Sequence, residues 1–180
     1  MTPKERRDRL FKKDRPHVRP LQIFDGNAYH KDIKILWVAY QKEPIHSFPR
    51  DLTQEGFAKH VESLAQRQEL LIAEDFNPGY PDRGPIALFG IYDFDWKIEP
   101  HVYFYKWATP RNILRTIVAF LQYVRHSRKI GCCVVYCLEK SKNLFDHVTT
   151  YGVLHYVGKI HGGDERGDEY VYSVKGKRCP

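Results

Sequence analysis

Thr109, Pro110, Arg111 and Arg115 fall in the run WATPRNILRTIVAFLQYVR, a pattern suited to holding a phosphate. Thr109 is a good helix cap, Pro110 fits the first helical position, and the residues that follow have the apolar spacing of a helix. A helix start presents unpaired backbone N–H groups and about half a positive charge, which favours an anionic ligand. Arg111 and Arg115, one turn apart, add charge to that position. The plainer alternative is that both arginines are the solvated side of an amphipathic helix. Other chemically competent groups are less well arranged. The 9 histidines form no HExxH, and the pairs His155/His161 and His126/His147 lack a carboxylate at metal-ligand spacing, so they read as surface or packing residues. Asp93 and Asp95 alternate with Phe94 and Trp96, as on the wet side of a strand.

The helix start needs elements to position it. HVYFYKWAT (101–109) reads as a strand leading into the helix, whose apolar face is Ile113, Leu114, Ile117, Val118, Leu121 and Val124. The almost uninterrupted apolar run 130–138 reads as a strand covered on both sides, so that strand, crossover helix and strand form a parallel βαβ unit. Upstream, the β-branched and aromatic content of 34–48 predicts a strand broken at Pro44. A helix is expected at 53–67, with Asp51 or Thr53 as cap and Phe57, Val61 and Leu64 on one face. Strands at 69–76 and 86–96 flank a hairpin loop at Asn77 to Pro85. A short helix, a glycine turn through Gly162, Gly163 and Gly167, and a last strand near 169–174 complete the order.

With 180 residues and 42% hydrophobic content, the chain suits one core of ordinary size. No apolar run approaches the length of a membrane span, and the first residues carry charges where a signal peptide needs apolar ones. A cytoplasmic protein, or one carried within an assembly, is expected. Cys132, Cys133 and Cys137 lie in the apolar run and Cys179 near the C-terminus, so they read as small core residues, a catalytic thiol being the rarer alternative. Residues 1–20 hold eight Lys or Arg against three Asp or Glu, thus +5 of the net +7. Such a basic arm is expected to be disordered alone and to contact nucleic acid or an acidic protein surface, or else merely to aid solubility. Residues 21–180 then form a single domain.

This element order over roughly 35–175, with KSKNLFDHVTTYGVLHYVGKIHGG ending a helix at Gly152–Val153, resembles the GNAT superfamily of acetyl-CoA-dependent N-acetyltransferases. The wording of that segment and of HVYFYKWATPRNIL is most similar to divergent bacteriophage members. The resemblance implies an α/β fold: a mixed, mostly antiparallel sheet with a central splayed parallel strand pair and flanking helices. It implies acetyl-CoA as cofactor and transfer of an acetyl group to an amine-bearing substrate. In the family a glycine-rich loop cradles the coenzyme's pyrophosphate; here that place has no glycine, leaving the amides of Arg111, Asn112 and Ile113, capped by Thr109, with Arg111 and Arg115 as charges. The thioester oxygen takes a backbone N–H around Tyr105 to Trp107, and Glu99 and His101 become the candidate base acting through water, an exposed strand end being the plainer alternative. The family's acid, a tyrosine four residues before the closing glycine, falls on Val148, with Tyr151 or Tyr156 as stand-ins. Its asparagine falls on Ser141, with Asn143 displaced by two. The same resemblance allows a second function, a GNAT-fold protein that has lost catalysis and serves as a binding or structural component of a phage particle or a host interaction.

Overall fold

The strands around 70–73 and 87–91 are buried at every successive position, so the sheet they build must be covered on both faces. The computed structural model describes residues 1–12, 15–23, 30–45, 47–74, 84–94, 97–127, 133–164 and 167–174. Its elements are α1 (Pro3–Leu10), β1 (His17–Pro20), α2 (Lys31–Lys42), α3 (Gln54–Ala65), β2 (Glu69–Glu74), β3 (Ala87–Phe94), β4 (Lys97–Phe104), α4 (Pro110–Ser127), β5 (Val134–Leu138), α5 (Glu139–Thr149), β6 (Leu154–Asp164) and β7 (Gly167–Val174). Two antiparallel sheets result, in the orders β1-β2-β3-β4 and β5-β7-β6, and a parallel bridge between Ile98 and Cys133 joins them. One face of the first sheet, through Leu70, Ile72 and Leu88, packs on α2 and α3. Its other face, through Leu71, Ala73, Phe89 and Ile91, shares a core with α4, α5 and the second sheet.

Helix α4 forms as its sequence predicts. The Thr109 hydroxyl accepts the Asn112 N–H at 3.2 Å, and Ile117, Val118, Leu121 and Val124 are buried. Phe120 stacks flat on Phe89, ring centres 4.1 Å apart, which fixes the helix against β3. Helix α3 starts at its Thr53 cap, with Phe57 and Val61 fully buried.

Three expectations are corrected. Residues 34–48 are not a strand: 31–42 is helix α2, because Ile33, Leu36, Ala39 and Tyr40 have helical spacing and all four face the core. The described part of the run 130–138, residues 133–138, is not covered on both sides. Within β5, Val135 and Cys137 are buried while Val134, Tyr136 and Leu138 are half-buried, since the α2–α3 cluster reaches no residue of the second sheet. Gly162 and Gly163 do not form a turn but end β6, the strand 154–164, whose pairing with β7 survives two irregularities, at Tyr156/Gly158 and Ile160/Asp164. Within residues 1–20, α1 and β1 are held against the body of the protein. Thr2 and Glu5 form a capping box for α1, Leu10 and Phe11 pack on the core, and β1 pairs with β2 from His17↔Glu74 to Pro20↔Leu71. Cys133 and Cys137 are buried and in no disulfide, and burial pushes the Cys137 thiol up to about 11, in keeping with a core residue. Asp95, Trp96, Cys132, Cys179 and the hairpin loop up to residue 83 lie outside the described residues. Among the described residues no helix is long and apolar enough to cross a membrane.

Gly152 closes the turn after α5 with φ +68°, and a Cβ there would stand 2.8 Å from the Pro3 Cβ of α1. The Arg7 guanidinium donates to the neighbouring Tyr151 carbonyl. Gly152→Ala is therefore expected to cost about 2 kcal/mol, from the left-handed backbone and the displaced helix together. Thermal melts check this: in a chain lacking residues 1–10 the cost should shrink to the backbone part, about 1 kcal/mol.

Candidate active site

Beyond the Ile98–Cys133 bridge, β4 stays paired only with β3 and β5 only with β7. The two parallel strands thus separate toward their C-terminal ends. Each turns a row of backbone N–H and C=O groups into the gap, edges that an amide-bearing ligand can satisfy. Pro100, two residues past the bridge, has no N–H to offer a ladder at that point. Val102 shows the opening directly: its partner Phe89 is buried in the α4 core, yet Val102 itself is 43% exposed.

At the head of the gap the amides divide sharply. The Tyr105 N–H bonds to the Ile86 carbonyl at 3.1 Å, and the Lys106 N–H to the Glu43 carboxylate at 2.6 Å. Asn112 gives its N–H to the Thr109 hydroxyl and Ile113 to the Thr109 carbonyl. Among the described residues, the N–H groups of Trp107 and Arg111 have no partner. The oxygen donor expected around Tyr105 to Trp107 thus narrows to Trp107. An anion can still draw the Asn112 amide from its own cap.

Arg111 is exposed beside this corner, but Arg115 is not the solvated residue that its spacing allowed. It is 6% exposed, and its Nε and Nη2 are sealed from solvent with no hydrogen-bond partner. Side chains on a helix lean toward its N-terminus, so the Arg115 guanidinium leans toward the turn that begins at Arg111. A buried guanidinium without a counter-charge is costly, and a phosphate at the helix head removes that cost.

Tyr105 and Trp107 shape the corner rather than line it with polar groups. Their rings stack at 4.7 Å, the Trp107 indole donates to the Pro85 carbonyl, and the Tyr105 hydroxyl is buried without a partner. Burial, reinforced by the Tyr103 and Glu43 charges, pushes the Tyr105 phenol well above its ordinary value. Glu43 was not legible as a site residue: it lies just past α2, and only the fold brings it to Lys106 and Tyr103. Burial first, then the Glu43 charge, pushes Tyr103 up to about 12.

Glu99 and His101 lie two apart on β4 and share one face, with His101 Nε2 3.7 Å from the Glu99 carboxylate. His101 meets Tyr92 edge-on at 5.1 Å and borders a cavity of about 590 Å³ under the α2–α3 connection. Tyr151 follows the 11-residue α5, and its hydroxyl lies 3.4 Å from His147 Nε2. Val148 is fully buried in the core, whereas Asn143 is exposed on α5. Among the described residues no three His, Cys, Asp or Glu converge as metal ligands.

No family model matches the sequence, and none of the curated proteins matches it. Solved structures match nearly the whole chain. A spermidine N-acetyltransferase chimera from Vibrio cholerae and hSSAT superposes with TM-score 0.60 at 8% identity, covering 89% of this chain and 95% of that one. A probable GNAT-family acetyltransferase from Chromobacterium violaceum gives 0.57 at 12%, covering 89% and 83%. A GNAT-family acetyltransferase from Streptococcus pneumoniae gives 0.54 at 10%, covering 88% and 97%. The fold is that of the GNAT acetyltransferases, with antiparallel sheets, a splayed parallel pair and flanking helices.

Proposed function

We propose that this chain is an acetyl-CoA-dependent N-acetyltransferase that acylates an amine. The observation that carries the reading is the buried Arg115 of α4, whose Nε and Nη2 have no partner one turn from the start of the helix that follows β4. The residues present fit the coenzyme. Arg111, Arg115 and the amides of Arg111 and Asn112 would hold its pyrophosphate, and the facing edges of β4 and β5 its amide-bearing arm. When bound, acetyl-CoA supplies an activated thioester. The unpaired Trp107 N–H would hold the thioester oxygen on which charge develops, and the Glu99–His101 pair would take the proton of the attacking amine through water. With valine at 148, the proton for the departing thiolate would come from water.

A second reading, a binding protein on the same fold without catalysis, draws on the glycine-free corner and on Val148. A thermal-shift titration separates the two. We expect saturable stabilisation by micromolar acetyl-CoA, about 2.7 kcal/mol at a hundredfold excess over Kd, and its loss in Arg111→Glu. No shift at millimolar ligand would leave the binding-protein reading.

A further inference from the structure

We infer that the acceptor is a single primary amine carried on a neutral, largely apolar body, and not a polyamine; this rests on the acetyltransferase reading above and names the substrate class of that site. The cavity beside His101 has about 590 Å³, room for a small ligand but not for a folded partner. Its walls are Ile45 and Phe48 from the α2–α3 connection and Leu70, Leu88, Tyr92 and Tyr103 from the sheet. No carboxylate lines it among the described residues. Glu99 reaches it only through His101, and the Glu43 carboxylate is engaged by the Lys106 N–H and the Tyr103 hydroxyl. One ammonium can therefore be neutralised, at the His101 end. A second or third, buried against leucine and phenylalanine, would have no counter-charge, and that is prohibitive.

Val102, between His101 and Tyr103 on β4, also borders this cavity, so the cavity reaches the strand that flanks the coenzyme gap. Gln68 sets the floor. Its half-buried side chain lies over Gly90, where a Cβ would stand 2.1 Å from its Oε1, and its amide has no hydrogen-bond partner among the described residues. Glycine at 90 thus makes room for a free amide that can meet one polar group on the ligand body.

Calorimetric titration of the ligand-free protein with 2-phenylethylamine and with spermidine tests this without acetyl-CoA. We expect 2-phenylethylamine to bind saturably and at least tenfold more tightly than spermidine. Gly90→Val, which displaces Gln68 and fills the floor, should weaken it at least tenfold. Gln68→Ala, which leaves the strand untouched, should change the affinity for a ring-hydroxylated analogue more than for 2-phenylethylamine. Spermidine binding as tightly, no binding of either amine, or an unchanged Kd in Gly90→Val would overturn the inference. Acetyl-CoA stabilisation retained alongside such a result would show that this inference alone has failed; its loss would mark failure of the acetyltransferase reading instead.

Discussion

Replacing Arg115 by Met should raise the melting temperature of the ligand-free protein and at the same time abolish its stabilisation by acetyl-CoA. The two effects have opposite signs because one group causes both. In the free protein the guanidinium sits 6% exposed, with Nε and Nη2 unpaired, and an uncompensated buried charge works against folding. Methionine fills similar length without that penalty, so a gain of about 1–3 kcal/mol is expected. For a chain of this size that is roughly 2–12 °C. With ligand, the same guanidinium makes charge-assisted bonds to phosphate, and the variant forfeits them. An arginine that served only the fold would give the reverse: a lower melting temperature with the acetyl-CoA shift intact. Paired melts of wild type and Arg115→Met, with and without acetyl-CoA, decide between these.

The largest loss of stability should come from Asp32. This carboxylate is 2% exposed and accepts both ends of the Arg19 fork, at 2.6 and 2.7 Å, together with the Gln22 N–H at 2.8 Å. Arg19 also reaches Glu74 at 3.0 Å, so the cluster ties β1 to α2 and β2. Asp32 stands in the first turn of α2, where the helix dipole favours its charge. Asp32→Ala leaves the guanidinium half-satisfied and should cost about 3–5 kcal/mol. Burial opposes ionisation of Asp32, but the Arg19 fork and the Gln22 N–H outweigh it and hold the carboxyl below its usual range. The folded-state value is depressed, so the unfolded chain takes up the proton first. The stabilisation is complete above about pH 4 and is lost as pH falls through the folded value. Urea melts across pH 2–6 check this: wild type should lose stability on acidification more steeply than Asp32→Asn.

The parts of the fold governed by local rules could be read directly from residues. Thr109–Pro110 announces the start of α4, the spacing of Ile117, Val118, Leu121 and Val124 gives its buried face, and Gly152 closes α5. Helix α2 was misread because ILWVAY has the composition of a strand; its spacing from Ile33 to Tyr40 held the answer. β6 was hidden by Gly158, Gly162 and Gly163, which its irregular pairing absorbs. Charge density concealed the role of residues 1–20, where Arg7, Arg15 and Arg19 all bond within the fold. Within the site, the helix start and its arginines were legible. The burial of Arg115, the engagement of Glu43 with Lys106 and the placement of Gln68 over Gly90 depend on contacts distant in sequence, which no local pattern encodes. Pro100 was the overlooked sign of the splay.

Hydrogen–deuterium exchange with and without acetyl-CoA tests the central claim most directly. Binding at the head of the gap should slow exchange at Trp107, Arg111 and Asn112 and along the facing edges 99–104 and 134–138. Unchanged exchange there at saturating acetyl-CoA, or protection confined to the groove between Arg15–Val18 and the far end of α4, would contradict it.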